Sequence, residues 1–154
     1  MGAMSAPLYN QAILRLATSI PHHARLAQPH ASAEKRSPIC GSRVTVDVEL
    51  GSDGRVAALG QEVRACALGQ ASAALMGQGA IGRTPAELAE ARDALTAFLA
   101  GGREDPGGWD GLEIFEPARP HSARHASIRL AFEAVAEAAA AAERSARPSG
   151  DRVP

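Results

Sequence analysis

The chain has 154 residues, a formal net charge of −1 and an apolar fraction of 45%, with aromatic residues at only 3%. That length supports one domain with its own core and is too short for two ordinary ones, and a core built largely from alanine favours a helix-rich α+β fold. Basic and acidic residues are interspersed, which excludes a field able to hold a phosphate backbone or an anionic bilayer, so nucleic acid and membrane are not expected partners. No apolar stretch reaches the length of a membrane span, and the first residues lack a basic segment followed by an apolar one, so the expected setting is the cytoplasm. Met1-Gly2-Ala3 ahead of Met4 reads as an expression remnant, and residues 1–7 are expected to be disordered.

Leu8, Ala12, Ile13, Leu16, Ala17 and Ile20 recur at helical spacing and predict an amphipathic helix over 8–20, ended by Pro21. Residues 21–39 show no sustained period and contain His22, His23, Pro29, His30 and Pro38, so an irregular surface connection is expected there. Residues 43–50 alternate cleanly, with Val44, Val46, Val48 and Leu50 on one face and Arg43, Thr45, Asp47 and Glu49 on the other. Gly51-Ser52-Asp53-Gly54 supplies turn chemistry, and 55–65 reads as the returning strand of an antiparallel hairpin. Small apolar residues over 67–77 predict a buried helix. Thr84-Pro85-Ala86-Glu87 is a helix start with a capping box and a first-turn proline, and the helix should stop at Gly101-Gly102. A polar loop with Trp109 follows, then a short third strand at 112–115. Ile128, Ala131, Phe132, Val135, Ala138 and Ala142 mark a long last helix opened by His125, and 145–154 is expected to be a disordered tail. The ordered domain is thus 8–144: a small antiparallel sheet packed against several helices.

Two cysteines in a reducing compartment are not expected to staple the fold, which leaves inert thiols or a reactive or metal-binding pair. If the hairpin turn is centred between Ser52 and Asp53, Cys40 faces Ala65 and lies beside Cys66, and facing residues hold their Cβ atoms about 5 Å apart. Cys66 also falls at a strand-to-helix junction, where unpaired N–H groups and the helix dipole favour a thiolate. Cys40 precedes Gly41, which permits an unusual backbone angle and close approach of a ligand. Two thiolates on one rim are half of a tetrahedral zinc or iron site, and the imidazole of His125 is the candidate to join them; His121 is a weaker one. Gly77-Gln78-Gly79-Ala80-Ile81-Gly82 matches a dinucleotide-binding pattern but follows a helical segment and opens no βαβ unit. No nucleophilic triad is legible, and the acidic residues read as solvated helix and strand faces.

The order of these elements resembles the IscU/NifU/SufU scaffolds. The likeness runs from Tyr9 to Glu143 and rests on Tyr9-Asn10, on Ile39-Cys40-Gly41-Ser42 before an alternating strand, and on Cys66 followed by Ala71-Ser72-Ala73. The long stretch between Cys66 and the last helix, with Gly82-Arg83-Thr84-Pro85-Ala86-Glu87, and Leu130-Ala131-Phe132-Glu133-Ala134-Val135 further on, look like the SufU branch. In that family three cysteines and an aspartate, with a nearby histidine in many members, bind zinc or assemble a [2Fe-2S] cluster from iron and desulfurase-derived sulfur. The resemblance implies that Cys40 and Cys66 are metal ligands and sulfur acceptors, with His125 as a further ligand and Gly41, Ser42 and Ser127 lining the pocket. Ser42 replaces the family aspartate. Ser127 occupies the third cysteine's position in an ungapped SufU-like register, or Ala126 does if His125 is aligned with the IscU histidine. The implied partners are a cysteine desulfurase and cluster-accepting apoproteins. Three uses fit the shortened ligand set: a scaffold completed by an external ligand, a sulfur acceptor, or a binding module without a stable metal.

Overall fold

The computed structural model describes residues 10–38 and 41–146. In chain order they form α1 (Gln11–Ala17), β1 (Ala31–Arg36), β2 (Arg43–Leu50), β3 (Val56–Arg64), α2 (Ala67–Gly79), α3 (Pro85–Leu99), two 3-10 segments (Leu112–Ala118 and Ser122–Arg124) and α4 (His125–Ala146). The architecture is the expected α+β one, with a three-stranded antiparallel sheet in the order β1-β2-β3.

The third strand is not where the sequence pattern puts it. Ala31–Arg36 lies inside the stretch expected to be irregular, whereas Leu112–Ala118 is a 3-10 helix. The strand has no large apolar residue to give an alternation. It is an edge strand, and its charged side chains are what an exposed edge requires; of its residues only Ala33 is buried, and Lys35 reaches Glu137 of α4 at 2.8 Å. In the 3-10 segment Leu112 and Phe115 are both fully buried, and a spacing of three brings them onto one side at three residues per turn.

The sheet register also departs from the turn-centred expectation, which pairs Val44 with Gln61. The observed partner of Val44 is Val63, and Arg43 pairs with Arg64. One residue of the shift arises because Leu50 pairs with Val56, leaving Arg55 in the loop. The other comes from the irregularity at Glu49/Leu50. Carried one step past the end of the ladder, this register sets Ser42 against Ala65, where the turn-centred count sets Cys40.

The buried valines Val44, Val46 and Val48 share a core with Ile128, Ala131, Phe132 and Val135 of α4, which lies across β1 and β2 and also packs on α2 and α3. The α3 capping box is as expected: Thr84 Oγ1 accepts from the Glu87 N–H, and Glu87 accepts from the Thr84 N–H. The first helix is shorter than 8–20. Asn10 caps it by accepting from the Ile13 N–H at 2.9 Å, and at its end the hydroxyls of Thr18 and Ser19 donate to the Arg15 carbonyl in place of further helical bonds. Leu8 and Tyr9 lie outside the described residues. So do residues 147–154, while Ser145 and Ala146, expected in the tail, belong to α4. Among the described residues no helix is long and apolar enough to cross a membrane.

The second face of the sheet is not the solvated one expected. Thr45 and Asp47 are buried, Asp47 completely. The loop over 21–26 covers this end: the Arg25 guanidinium grips Asp47 through both carboxylate oxygens at 2.7 and 2.9 Å, the Leu26 N–H donates to it at 2.9 Å, and the Ser32 hydroxyl donates from β1. Burial pushes the Asp47 carboxyl up, but these hydrogen bonds and the Arg25 charge outweigh it, so the group ends below its ordinary value. Gly60 is needed beneath the loop, because a Cβ there would stand 2.5 Å from the Ala24 carbonyl oxygen.

Candidate metal and sulfur site

The turn joining β1 to β2 is closed by its own backbone. The Ser37 N–H donates to the Ser42 carbonyl at 2.9 Å and the Gly41 N–H to the Ser37 carbonyl at 3.1 Å. Gly41 has φ +74, the left-handed conformation for which glycine was expected, and is exposed, whereas Ser42 is buried as β2 begins. Ile39 and Cys40, in the middle of this turn, lie outside the described residues.

Cys66 is the N-cap residue of α2, extended at φ −67 and ψ 172, and its side chain makes no capping bond to the helix. Its thiol is free and partly exposed. Directly behind it, the first turns of α2 press against the start of α4. A Cβ on Gly69 would stand 2.7 Å from the Ala65 Cβ and 3.2 Å from the Ser127 carbonyl oxygen, so a side chain there would force Ala65 to shift and crowd the α4 backbone. Ser72 fixes the same contact by donating its hydroxyl to the Ile128 carbonyl at 2.6 Å. Ser127, buried in the first turn of α4, is thereby brought to the helix end that carries Cys66.

His125 opens α4 as expected and is buried. Its Nε2 lies 2.9 Å from the Ala118 carbonyl and 3.0 Å from the Arg119 carbonyl. Carbonyls only accept, so Nε2 carries the proton, and in the neutral ring Nδ1 alone offers a lone pair. The 118–119 backbone is itself held to the end of α3, where the Arg119 Nε–H donates to the Phe98 carbonyl at 2.8 Å and the guanidinium lies 4.6 Å over the Phe98 ring. A histidine tied through one nitrogen to main-chain oxygen is oriented in the way that metal-binding imidazoles are. Among the described residues no three side chains of His, Cys, Asp and Glu converge as a ready ligand group.

Other polar features lie away from this corner. A groove of about 370 Å³ between α3 and the 103–109 loop is lined by Arg83, Glu87, Glu90, Arg103 and Trp109, among others. It borders the far end of α2, whose 13 residues span about 20 Å. Two glycines of the dinucleotide-like pattern are packing residues there, Gly77 against Pro21 and the Gln61 side chain and Gly79 against the Trp109 ring, while Gly82 has φ +93 and open space around it, as a turn residue does. The Asp47 network and the cross-strand row Arg36–Arg43–Arg64 at the strand ends were missed from sequence. Both sit on the strand face read as solvated, and cross-strand pairing, which no single strand displays, is the signal that identifies them.

Comparison with known proteins gives a consistent result. No protein-family model and no curated protein matches the chain. Among solved structures, the N-terminal part of a nitrogen-fixing NifU-like protein from Brucella abortus is 42% identical, with a TM-score of 0.84 over 90% of this chain and 96% of that one. A protein from the thermophile Fervidobacterium islandicum AW-1, assigned as an iron-sulfur cluster assembly scaffold for the SUF system, has a TM-score of 0.79 at 20% identity, covering 86% of this chain and 96% of that one; it attests the fold alone.

Proposed function

This chain belongs to the IscU/NifU/SufU family of scaffold proteins, and from that premise we propose that it serves iron-sulfur cluster assembly by holding iron or a [2Fe-2S] cluster in transit and accepting sulfur from a cysteine desulfurase. The observation that carries the reading is the partly exposed Cys66 thiol at the uncapped start of α2, held by Gly69 and Ser72 against the first turn of α4. Cys40 and Cys66 supply the two thiolates in this proposal and His125 Nδ1 the third donor, with Gly41, Ser42 and Ser127 around them. A hydroxyl is a far poorer ligand for iron or zinc than a thiolate, so Ser42 and Ser127 leave the set short. The missing position is completed by an external thiol or a partner's cysteine, and an open position suits cargo that must leave again. Zinc is the alternative metal, and apoproteins that need clusters are the recipients. Thiolates that serve as metal ligands and sulfur acceptors belong in a reducing compartment, which for this chain we take to be the cytoplasm.

Sulfur acceptance on its own is the second reading, favoured by the partial exposure of Cys66. The Cys66 thiolate attacks the outer sulfur of the desulfurase persulfide; the S–S bond there breaks, and the desulfurase cysteine leaves as a thiolate.

Anaerobic reconstitution with ferrous iron and sulfide tests the proposal. The wild-type chain should acquire the visible absorption of a thiolate-bound cluster together with iron and acid-labile sulfide, and Cys40→Ser and Cys66→Ser should each lose them. Full metal content in both variants would end the scaffold and zinc readings. Sulfur taken from a desulfurase without bound iron would favour the second reading.

A further inference from the structure

Three strand ends border the Cys66 corner, and each carries an arginine. Arg36 pairs with Arg43, and Arg43 with Arg64, so the three guanidinium side chains form one row across the sheet. Strand alternation places all three on the face of Thr45 and Asp47, opposite the valines that meet α4. Arg36 and Arg64 are exposed and Arg43 partly so. From Arg36 the chain enters the 37–42 turn directly, and from Arg64 it reaches Cys66 in two residues.

Like charges placed directly opposite one another oppose strand pairing. Among the described residues Arg36 is relieved by an ion pair to Glu34 at 2.6 Å, and the Arg43 charge acts on the same carboxylate from further away. Arg43 and Arg64 have neither an ion pair nor a side-chain hydrogen bond among the described residues. The other end of the same face differs: there Arg25 supplies the counter-charge to Asp47, and Ser32 and the Leu26 N–H donate hydrogen bonds to it. One end of the face is satisfied internally, and the end beside Cys66 keeps an excess of positive charge, three arginines against Glu34 and Glu62.

We propose that the Arg36–Arg43–Arg64 row is a docking strip for an acidic helix of a protein partner that works at the Cys66 corner. Neighbouring strands lie about 4.8 Å apart, so the row spans about 10 Å. Carboxylates at positions i, i+3 or i+4 and i+7 of a helix cover about 10.5 Å along one face and match it, whereas alternate residues of an extended chain, nearly 7 Å apart, do not. The next row inward, Glu34–Thr45–Glu62, carries two carboxylates, so the positive charge is confined to a single short row; three carboxylates aligned with that row fit it, whereas a phosphate backbone extending past it would run onto like charge, which favours a short acidic peptide over nucleic acid. Only the identification of the partner as a sulfur donor or cluster recipient rests on the scaffold reading; the docking itself does not.

The test uses a labelled synthetic helical peptide with glutamates at i, i+4 and i+7 and a control peptide with glutamines there, titrated against the full chain and against Arg43→Gln/Arg64→Gln. Wild type should bind the acidic peptide and not the control, and binding should weaken several-fold between about 50 and 300 mM salt as screening sets in. The double variant should bind at least tenfold more weakly, while its thermal midpoint holds or rises because the repulsion along the row is gone. Equal binding of the acidic peptide to both proteins, or of both peptides to wild type, overturns the proposal. Tighter, arginine-dependent binding of a single-stranded oligonucleotide overturns it in favour of nucleic acid. Iron-sulfide reconstitution of the double variant separates this outcome from the scaffold reading: a lost docking strip leaves cluster loading intact, and a chain that never loads a cluster still reports on the peptide.

Discussion

Ser72 on α2 donates its hydroxyl to the main-chain carbonyl of Ile128 on α4 across 2.6 Å, in a contact from which water is excluded. Three residues earlier on α2, Gly69 lies against Ser127 of α4. The relative placement of Cys66 and the first turn of α4 therefore depends on one hydroxyl and one missing side chain.

Ser72→Ala should cost about 1–2 kcal/mol, the price of a buried hydrogen bond. Gly69→Ala should cost about 1–3 kcal/mol, because the added methyl meets backbone as well as the Ala65 side chain. Urea unfolding measures both. Gly69→Ala should also lower metal uptake in reconstitution at temperatures where the variant remains folded, since it forces the start of α2 away from α4. Unchanged uptake would show that the site tolerates a looser junction.

Asp47 gives a pH signature whose sign is fixed by its environment. Its carboxyl is held below the ordinary value, so the unfolded chain binds the proton more readily than the folded one. The stabilisation is fully present above the unfolded value near ~3.9 and is lost as pH falls through the folded value. Asp47→Asn should cost about 2 kcal/mol at neutral pH, towards the low end for a charged network because Arg25 is half exposed and can rehydrate. The gap in urea midpoint between wild type and variant should narrow steadily below pH ~4; a gap that stays constant down to pH ~2 would mean that the carboxylate charge is not what holds the 21–26 loop.

How far the sequence discloses this molecule depends on whether a signal is local. Thr84 and Glu87 sit three residues apart and announce α3 by themselves, and the valines of β2 announce their strand. β1 is hidden because an edge strand of small and charged residues has no apolar period. Asp47 looked solvated because its partner Arg25 is 22 residues away, in a segment with no regular structure. The hairpin register could be approached but not fixed, since one irregularity at Glu49/Leu50 moves every later pair. Family motifs identified the corner that carries Cys66, yet they hold no information about which nitrogen of His125 is engaged.

Trp109 reports on the far end of α2. Its Nε1–H donates to the Leu75 carbonyl at 2.9 Å, its ring meets Phe132 edge-on at 5.0 Å, and the Arg83 guanidinium covers it at 4.4 Å. Trp109→Phe should cost about 1–2 kcal/mol by removing the indole hydrogen bond to the Leu75 carbonyl, which keeps its helical partner, and by thinning the ring contact. Because the ring meets α2 at Leu75 and Gly79, about 13 to 20 Å along the helix from Cys66, cluster loading in the folded variant should be unchanged. The single tryptophan also makes intrinsic fluorescence a direct probe of this end, and a wild-type emission maximum typical of exposed indole would contradict the burial on which the prediction rests.

His125 separates anchoring from ligation. His125→Ala removes the donor to the Ala118 and Arg119 carbonyls and should cost about 1–3 kcal/mol of stability. His125→Gln can restore an N–H donor to those carbonyls but has no Nδ1, so it should recover most of the stability. If Nδ1 completes the site, both variants should lose metal affinity alike, by ~10-fold or more. Paired urea unfolding and metal titrations decide the matter: affinity that returns with glutamine along with stability would assign His125 to anchoring alone and remove it from the ligand set.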